Sequence, residues 1–216
     1  MRGIKACIFD LDGVIVDTAI YHYKAWKQLA NQLGFDFTEE DNEKLKGISR
    51  KESLDLILSW GGVVKTEAER DMLAHRKNDW YVEMISEMSP REILPGADDF
   101  LKLLKGEGYK IALGSASKNA GIILDKVGLT AYFDGIVDGN IVTASKPDPR
   151  VFLKGAEMLD TSPEQCVVFE DAIAGIEAAK AGGMKVIGIG SPERLSGADL
   201  VIAGLYEMNI ELLEKL

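Results

Sequence analysis

Ala6-Cys7-Ile8-Phe9-Asp10-Leu11-Asp12-Gly13-Val14 decides how the rest of the chain is read. An apolar run ends on an aspartate, the pattern of a short strand buried on both faces. The chain then turns at Asp12-Gly13, where glycine permits a tight backbone path close to a ligand. Two carboxylates two residues apart at a strand end can face one cavity. Placed together they repel, which raises one pKa unless a cation intervenes. Two roles then separate: one carboxylate attacks, and the other donates or accepts a proton. A pair of aspartates in a turn is by itself most often a solvated loop; the strand in front of it argues for chemistry.

Similar apolar runs recur at 110–114, at Cys166-Val167-Val168-Phe169 and at 185–188. Helical patterns lie between them. Ala97, Leu101 and Leu104 share one face, and a stretch rich in Ala and Ile over 172–181 ends at Gly182-Gly183. Strands alternating with helices predict βαβ units and a parallel sheet covered on both faces. The stretch from Thr18 to Met88 breaks the alternation. Tyr23, Trp26, Ala30 and Leu33 trace one apolar face, Leu54, Ile57 and Leu58 a second, and Trp80, Met84 and Met88 a third. The expected organisation is therefore an α/β core over 1–16 and 89–216 with an all-helical insert over 17–88. In open α/β sheets ligands sit outside the carboxyl ends of the strands. Asp10, Ser115 and Glu170-Asp171 fall at such ends. The insert begins there too, so it can lie over the site as a cap.

Glu170-Asp171 is costly to bury without compensation. Together with Asp10 and Asp12 it would form an oxygen-rich cluster suited to a hard cation such as Mg²⁺. The plainer explanation is a helix N-terminus, where acidic residues are favoured. Ser115-Ala116-Ser117-Lys118-Asn119 offers hydroxyls and backbone N–H groups ahead of a helix, a cradle for phosphate and equally an ordinary N-cap. Lys146, in Ser145-Lys146-Pro147-Asp148-Pro149, could neutralise a phosphate; taken alone it would be a surface lysine. Lys46-Gly47-Ile48-Ser49-Arg50 places two cations around a glycine and otherwise reads as a solvated turn. His22, near the start of the insert, and His75 are read singly as structural or surface residues.

The 216 residues are 46% hydrophobic, enough for a sizeable core, and the net charge of -10 argues against a nucleic-acid footprint or adhesion to anionic membranes. No stretch approaches a membrane span in length, and no signal peptide is evident, so a cytoplasmic protein is expected. Cys7 and Cys166 each sit in an apolar run and read as buried, reduced thiols. Neither histidine has a nucleophile signature beside it. No Gly-x-x-x-x-Gly-Lys-Ser/Thr loop occurs.

Asp10-Leu11-Asp12-Gly13-Val14, Ser115, Lys146 and Glu170-Asp171 stand in the order and spacing of the haloacid dehalogenase-like superfamily, which the chain resembles over essentially its whole length. The resemblance implies a Rossmann-like, doubly wound core with a small helical cap. Within that superfamily, Asp17-Thr18, Tyr21-His22-Tyr23-Lys24-Ala25-Trp26, Leu45 to Arg50, Arg76-Lys77-Asn78-Asp79 and Ser115 to Asn119 resemble the members that move a phosphoryl group between two positions of a hexose. By that resemblance Asp10 forms an aspartyl phosphate and Asp12 is the general acid/base. One Mg²⁺ is held by the side chains of Asp10, Glu170 and Asp171 and by the Asp12 carbonyl. Ser115, the Ala116 N–H and Lys146 hold the transferring group, while Arg50, Ser117 and Asn119 hold the distal phosphate. His22, Lys77 and the Lys46-Gly47 turn close over the sugar, with Thr18, Trp26 and Ser53 in the same binding set. The implied reaction interconverts β-D-glucose 1-phosphate and D-glucose 6-phosphate through β-glucose 1,6-bisphosphate, with a small sugar phosphate as the only partner and a monomer as the expected state. A phosphatase of the same superfamily is the alternative. A phospho-aspartate signalling module is disfavoured by the Asp10-x-Asp12 pattern and the insert that follows it.

Overall fold

The computed structural model describes residues 3–216. Strand β1 (Ala6–Phe9) is followed by four helices, α1 (Ala19–Gln32), α2 (Glu39–Glu43), α3 (Arg50–Trp60) and α4 (Glu67–Ser86). Strands and helices then alternate: α5 (Ala97–Gly106), β2 (Lys110–Gly114), α6 (Ala120–Val127), β3 (Gly135–Val137), α7 (Arg150–Met158), β4 (Cys166–Glu170), α8 (Ile173–Ala181), β5 (Lys185–Ile189), β6 (Leu200–Ile202) and α9 (Ile210–Glu214). The expected α/β architecture is present, with the four expected strands at its centre.

The six strands are all parallel, in the order β3-β2-β1-β4-β5-β6. Successive connections run outward from β1 on one side and outward from β4 on the other. The β1/β4 boundary is thus the switch point where a crevice opens beyond the strand ends. Phe9 lies opposite Leu113 on one side and Phe169 on the other. That register brings Asp10, Ser115 and Glu170 together, although they are far apart in sequence.

Alternation along β1 divides the apolar residues into two layers. Cys7 and Phe9 pack with Phe100, Leu101, Ile123 and Phe169 on one face; Ala6 and Ile8 pack with Phe152, Ile176 and Ala179 on the other. Phe9 stacks on Phe169 with ring centroids 4.5 Å apart, and Phe100 meets both rings edge-on. Cys7 and Cys166 are buried free thiols, as expected.

The helices of residues 19–86 have a separate apolar cluster built on Trp26, Leu29, Phe37, Leu54, Ile57 and Leu58. Ala25, Tyr81 and Ile85 instead join the layer against the sheet. The expected face of Trp80, Met84 and Met88 does pack against the same layer, but it is not the most deeply buried part of α4. Its buried stripe is Lys77, Tyr81 and Ile85, one position round from Trp80 and Met84, which are half-buried. A lysine occupies that stripe because its ammonium has aromatic faces and a histidine to meet, described below. Leu33 ends α1 as its C-cap and still packs, with Tyr23, Trp26 and Ala30, on the apolar cluster as expected. The two strand–helix crossings run side by side. Val16 bridges Ile93, the Leu94 N–H donates to the Ile15 carbonyl (2.9 Å), and the Asp17 N–H donates to the Glu92 carbonyl (3.2 Å).

Candidate active site

Asp10 is the first residue beyond β1, and its N–H still donates to the Phe169 carbonyl at 2.9 Å, which holds the strand end in place. Its carboxylate accepts from Lys146 Nζ at 2.6 Å, and Lys146 also donates to Glu170 Oε2 at 2.8 Å. All three are buried. Burial alone would pull the Lys146 pKa down, but the charges of Asp10 and Glu170 win and hold it above its usual value. The lysine that read as a surface residue is thus the internal counter-ion of two carboxylates.

Asp12 faces the same cavity. Burial first, then the charges of Asp10 and Asp171, push its carboxyl up to about 8. That places its titration close enough to neutrality for the carboxyl to accept or donate a proton. The buried Thr18 hydroxyl donates to Asp12 Oδ1. Thr18 stands at the N-cap of α1 yet makes no side-chain cap bond there. The helix forgoes a stabilising contact and the hydroxyl fixes the aspartate instead. Between the two aspartates' loop and β4, Gly13 has φ +79°, and a Cβ on it would run into the Asp171 carboxylate.

Carboxylate oxygens of Asp10, Glu170 and Asp171 lie within 4.8 Å of one another, all buried. Burial, then the mutual charges, raise the pKa of Glu170. Asp171 is raised by burial and Asp10 against the opposing charge of Lys46. Three buried oxygen donors, balanced only by Lys146 and by Lys46 from the helical side, fit a hard divalent cation.

The four-helix segment forms the opposite wall of a cavity of about 620 Å³. His22, Trp26, Lys46, Gly47, Arg50, Ser53 and Lys77 line it from the helices; Asp10, Asp12, Ser115, Ala116, Ser117, Asn119 and Asp171 line it from the sheet. Thr18, Lys146 and Glu170 stand behind this lining and reach the cavity through Asp12 and Asp10. Lys77 Nζ lies 3.0 Å from His22 Nδ1, 4.5 Å from the Trp26 ring centre and 4.6 Å from that of Tyr81. Burial and the nearby Arg50 pull the Lys77 pKa well below its usual value; burial, Lys77 and Arg50 do the same to His22. Lys46 Nζ donates to Asp171 Oδ2 at 2.9 Å. Arg50 has no ion-pair partner among the described residues, leaving a guanidinium open to an anion.

Sequence reasoning gave Asn78 no role, although it stands in the Arg76-Lys77-Asn78-Asp79 stretch, and missed Tyr81. Asn119 Nδ2 donates to Asn78 Oδ1 at 2.9 Å, joining the Ser115 loop to α4. Asn78 and Tyr81 both line the cavity, as does His75, which gave no signal on its own. Tyr81 could have been found as the residue one turn beyond Lys77 on the same helix face.

An aspartate pair, Asp10 buried and Asp12 half-buried, at the switch point of a parallel sheet and facing a helical wall, defines a class. The family model for haloacid dehalogenase-like hydrolases matches residues 4–183, and the chain belongs to that family. The chain is 47% identical over 98% of its length to the β-phosphoglucomutase of Bacillus subtilis, covering 95% of that protein. It is similar in structure to the β-phosphoglucomutase of Clostridium difficile, with a TM-score of 0.95 and 43% identity, covering 98% of this chain and 96% of the other. It is also 30% identical, over 85% of its length and 84% of the relative's, to a phosphorylated carbohydrates phosphatase of Thermotoga maritima.

Proposed function

We propose that this chain interconverts β-D-glucose 1-phosphate and D-glucose 6-phosphate, with Asp10 as the phosphoryl carrier. One observation carries the reading. A cavity places the Asp10 and Asp12 carboxyls at its sheet end and the Arg50 guanidinium, without an ion-pair partner among the described residues, on its helical wall. A sugar with two phosphate positions needs a reacting centre and a second anion site, and this arrangement suits both. The similarity to two β-phosphoglucomutases over nearly the whole chain supports the same reading.

In this mechanism phospho-Asp10 gives its phosphoryl group to the 6-hydroxyl of β-glucose 1-phosphate. The Asp10–phosphorus bond breaks, a phosphorus–oxygen bond to the sugar forms, and Asp12 takes the hydroxyl proton. The bisphosphate turns over in the cavity. The Asp10 carboxylate then attacks the phosphorus at C1 while Asp12 returns the proton to the leaving sugar oxygen. A carboxyl of pKa about 8 suits both directions near neutral pH. Lys146 offsets the repulsion between Asp10 and the phosphate. Ser115 and the Ala116 N–H hold the transferring oxygens, and Arg50, Ser117 and Asn119 hold the far phosphate. Residues 17–88 act as a cap that excludes water, so that the acyl phosphate meets a sugar hydroxyl first. Asp10, Glu170 and Asp171, with the Asp12 carbonyl, would hold Mg²⁺, which supplies charge neutralisation for the transferring group.

The test separates products. Purified protein with Mg²⁺ and a bisphosphate primer should convert β-glucose 1-phosphate to glucose 6-phosphate. Release of inorganic phosphate alone would favour the phosphatase reading, to which the Thermotoga maritima relative lends support. Preference for the α anomer would remove the proposed substrate.

A further inference from the structure

We propose that Ser145 is a positioning residue that joins the Lys146 loop to the first turn of α3, and so fixes the separation of two cations, Lys146 and Arg50. The proposal rests on the reaction above, in which those cations meet the two phosphates of one sugar.

The observation is an unusual capping box. α3 starts from Ser49, whose hydroxyl accepts from the Glu52 N–H, while Glu52 Oε2 accepts from the Ser49 N–H (3.3 Å) and hydroxyl (2.9 Å). The boxes at the starts of α2 and α4, built on Thr38 with Asp41 and Thr66 with Glu69, are local. Among the described residues no group from the sheet side enters them. The box of α3 admits one. The Ser145 hydroxyl donates to Glu52 Oε2 and accepts from the Ser49 N–H at 3.1 Å. Both capabilities of the hydroxyl are used, and both partners belong to the helical segment.

The neighbours in sequence give the contact its meaning. The residue after Ser145 is Lys146, bonded to Asp10 and Glu170. The residue after Ser49 is Arg50, on the cavity wall. One peptide unit separates the junction from each cation. Other bonds cross between core and helices: Lys46 to Asp171 and Asn78 to Asn119 use groups that a metal or a phosphate would claim, and Arg194 to Glu43 (3.3 Å) joins two exposed side chains that solvent screens. The Ser145 junction uses none of them. It can stay closed while the cavity is filled, and it sets how far Arg50 stands from the reacting phosphorus, where small misplacements are costly.

The test compares Ser145→Ala, Ser145→Thr and Glu52→Gln in the full chain. Amide hydrogen exchange across residues 50–54, in ligand-free protein, should quicken about fivefold in Ser145→Ala and return toward the parent rate in Ser145→Thr. Unchanged exchange in Ser145→Ala would overturn the junction, whatever the reaction proves to be. The ratio kcat/KM for β-glucose 1-phosphate should fall about five- to tenfold in Ser145→Ala and in Glu52→Gln. Aspartyl phosphate formation from acetyl phosphate, which has no second phosphate, should stay within about twofold of the parent rate. Faster exchange with unaltered kcat/KM would overturn the positioning role, as would equal loss with both donors. A parent protein without mutase activity would defeat the proposed function and leave the exchange result to decide the junction.

Discussion

Replacing Lys146 by methionine keeps the bulk of the side chain and removes its charge. The parent ammonium lies 2.6 Å from Asp10 and 2.8 Å from Glu170, and the three side chains are 1%, 9% and 0% exposed. Solvent screening is therefore slight. Removing one partner of such a buried pair costs about 3–5 kcal/mol, because the charges left behind remain desolvated. The carboxylates of the variant can escape part of this by taking up protons, so the loss depends on pH. Removing the lysine takes away the charge that opposes the raised Glu170 pKa, so that pKa rises further in the folded state while the unfolded value is unchanged. The folded variant then binds more protons than the folded parent, and its stability deficit grows as pH rises. Each extra proton held contributes about 1.4 kcal/mol per pH unit. Metal-free K146M should be about 4 kcal/mol less stable than the parent near pH 8, and the gap should narrow markedly toward about pH 5. Urea unfolding at several pH values measures it. A deficit that stays flat with pH, or widens on acidification, would show that Lys146 acts by packing against Phe152, 4.7 Å from its ammonium, and not by charge.

Binding of Mg²⁺ to the metal-free protein should release protons near pH 7, because burial raises Glu170 and Asp171 and a metal needs both ionised. Calorimetry in buffers of differing ionisation enthalpy reads the release, and identical heats would contradict it. Thr18→Val should lower kcat about tenfold through loss of the Asp12 hydrogen bond, with little change in melting temperature, since the hydroxyl does not cap its helix; an equal loss in stability and activity would assign Thr18 to the fold. Gly13→Ala should weaken Mg²⁺ binding, since φ +79° resists a side chain and the new methyl meets Asp171. Unchanged Mg²⁺ affinity in a titration would show that the loop yields.

Four strands were legible because central parallel strands are buried on both faces and leave continuous apolar runs. β3 and β6 were not: each spans three residues at an edge of the sheet, too short for a period to emerge. The order of the strands has no local trace. Asp10, Ser115 and Glu170-Asp171 could be placed at strand ends because each follows an apolar run. The bond from Lys146 to Asp10 spans 136 positions and could only be inferred from the family pattern. Periodicity found the Trp80, Met84 and Met88 face but not the deeper stripe beside it, since a lysine there looks polar while its ammonium rests against Trp26 and Tyr81. Asn78 was passed over for the same kind of reason. An exposed-looking amide acquires a role only when Asn119 from another element comes to meet it.

The side-by-side crossings at Val16 and Ile93 have a consequence for how such enzymes diversify. The helical segment enters and leaves at neighbouring points, so it can be exchanged as a graft with two adjacent seams and no cut through the sheet. In the proposed reaction the nucleophile lies on one side of the seams and the wall that selects an acceptor on the other. Lineages can therefore inherit the phosphoryl chemistry intact while trading the surface that decides where the phosphate goes next.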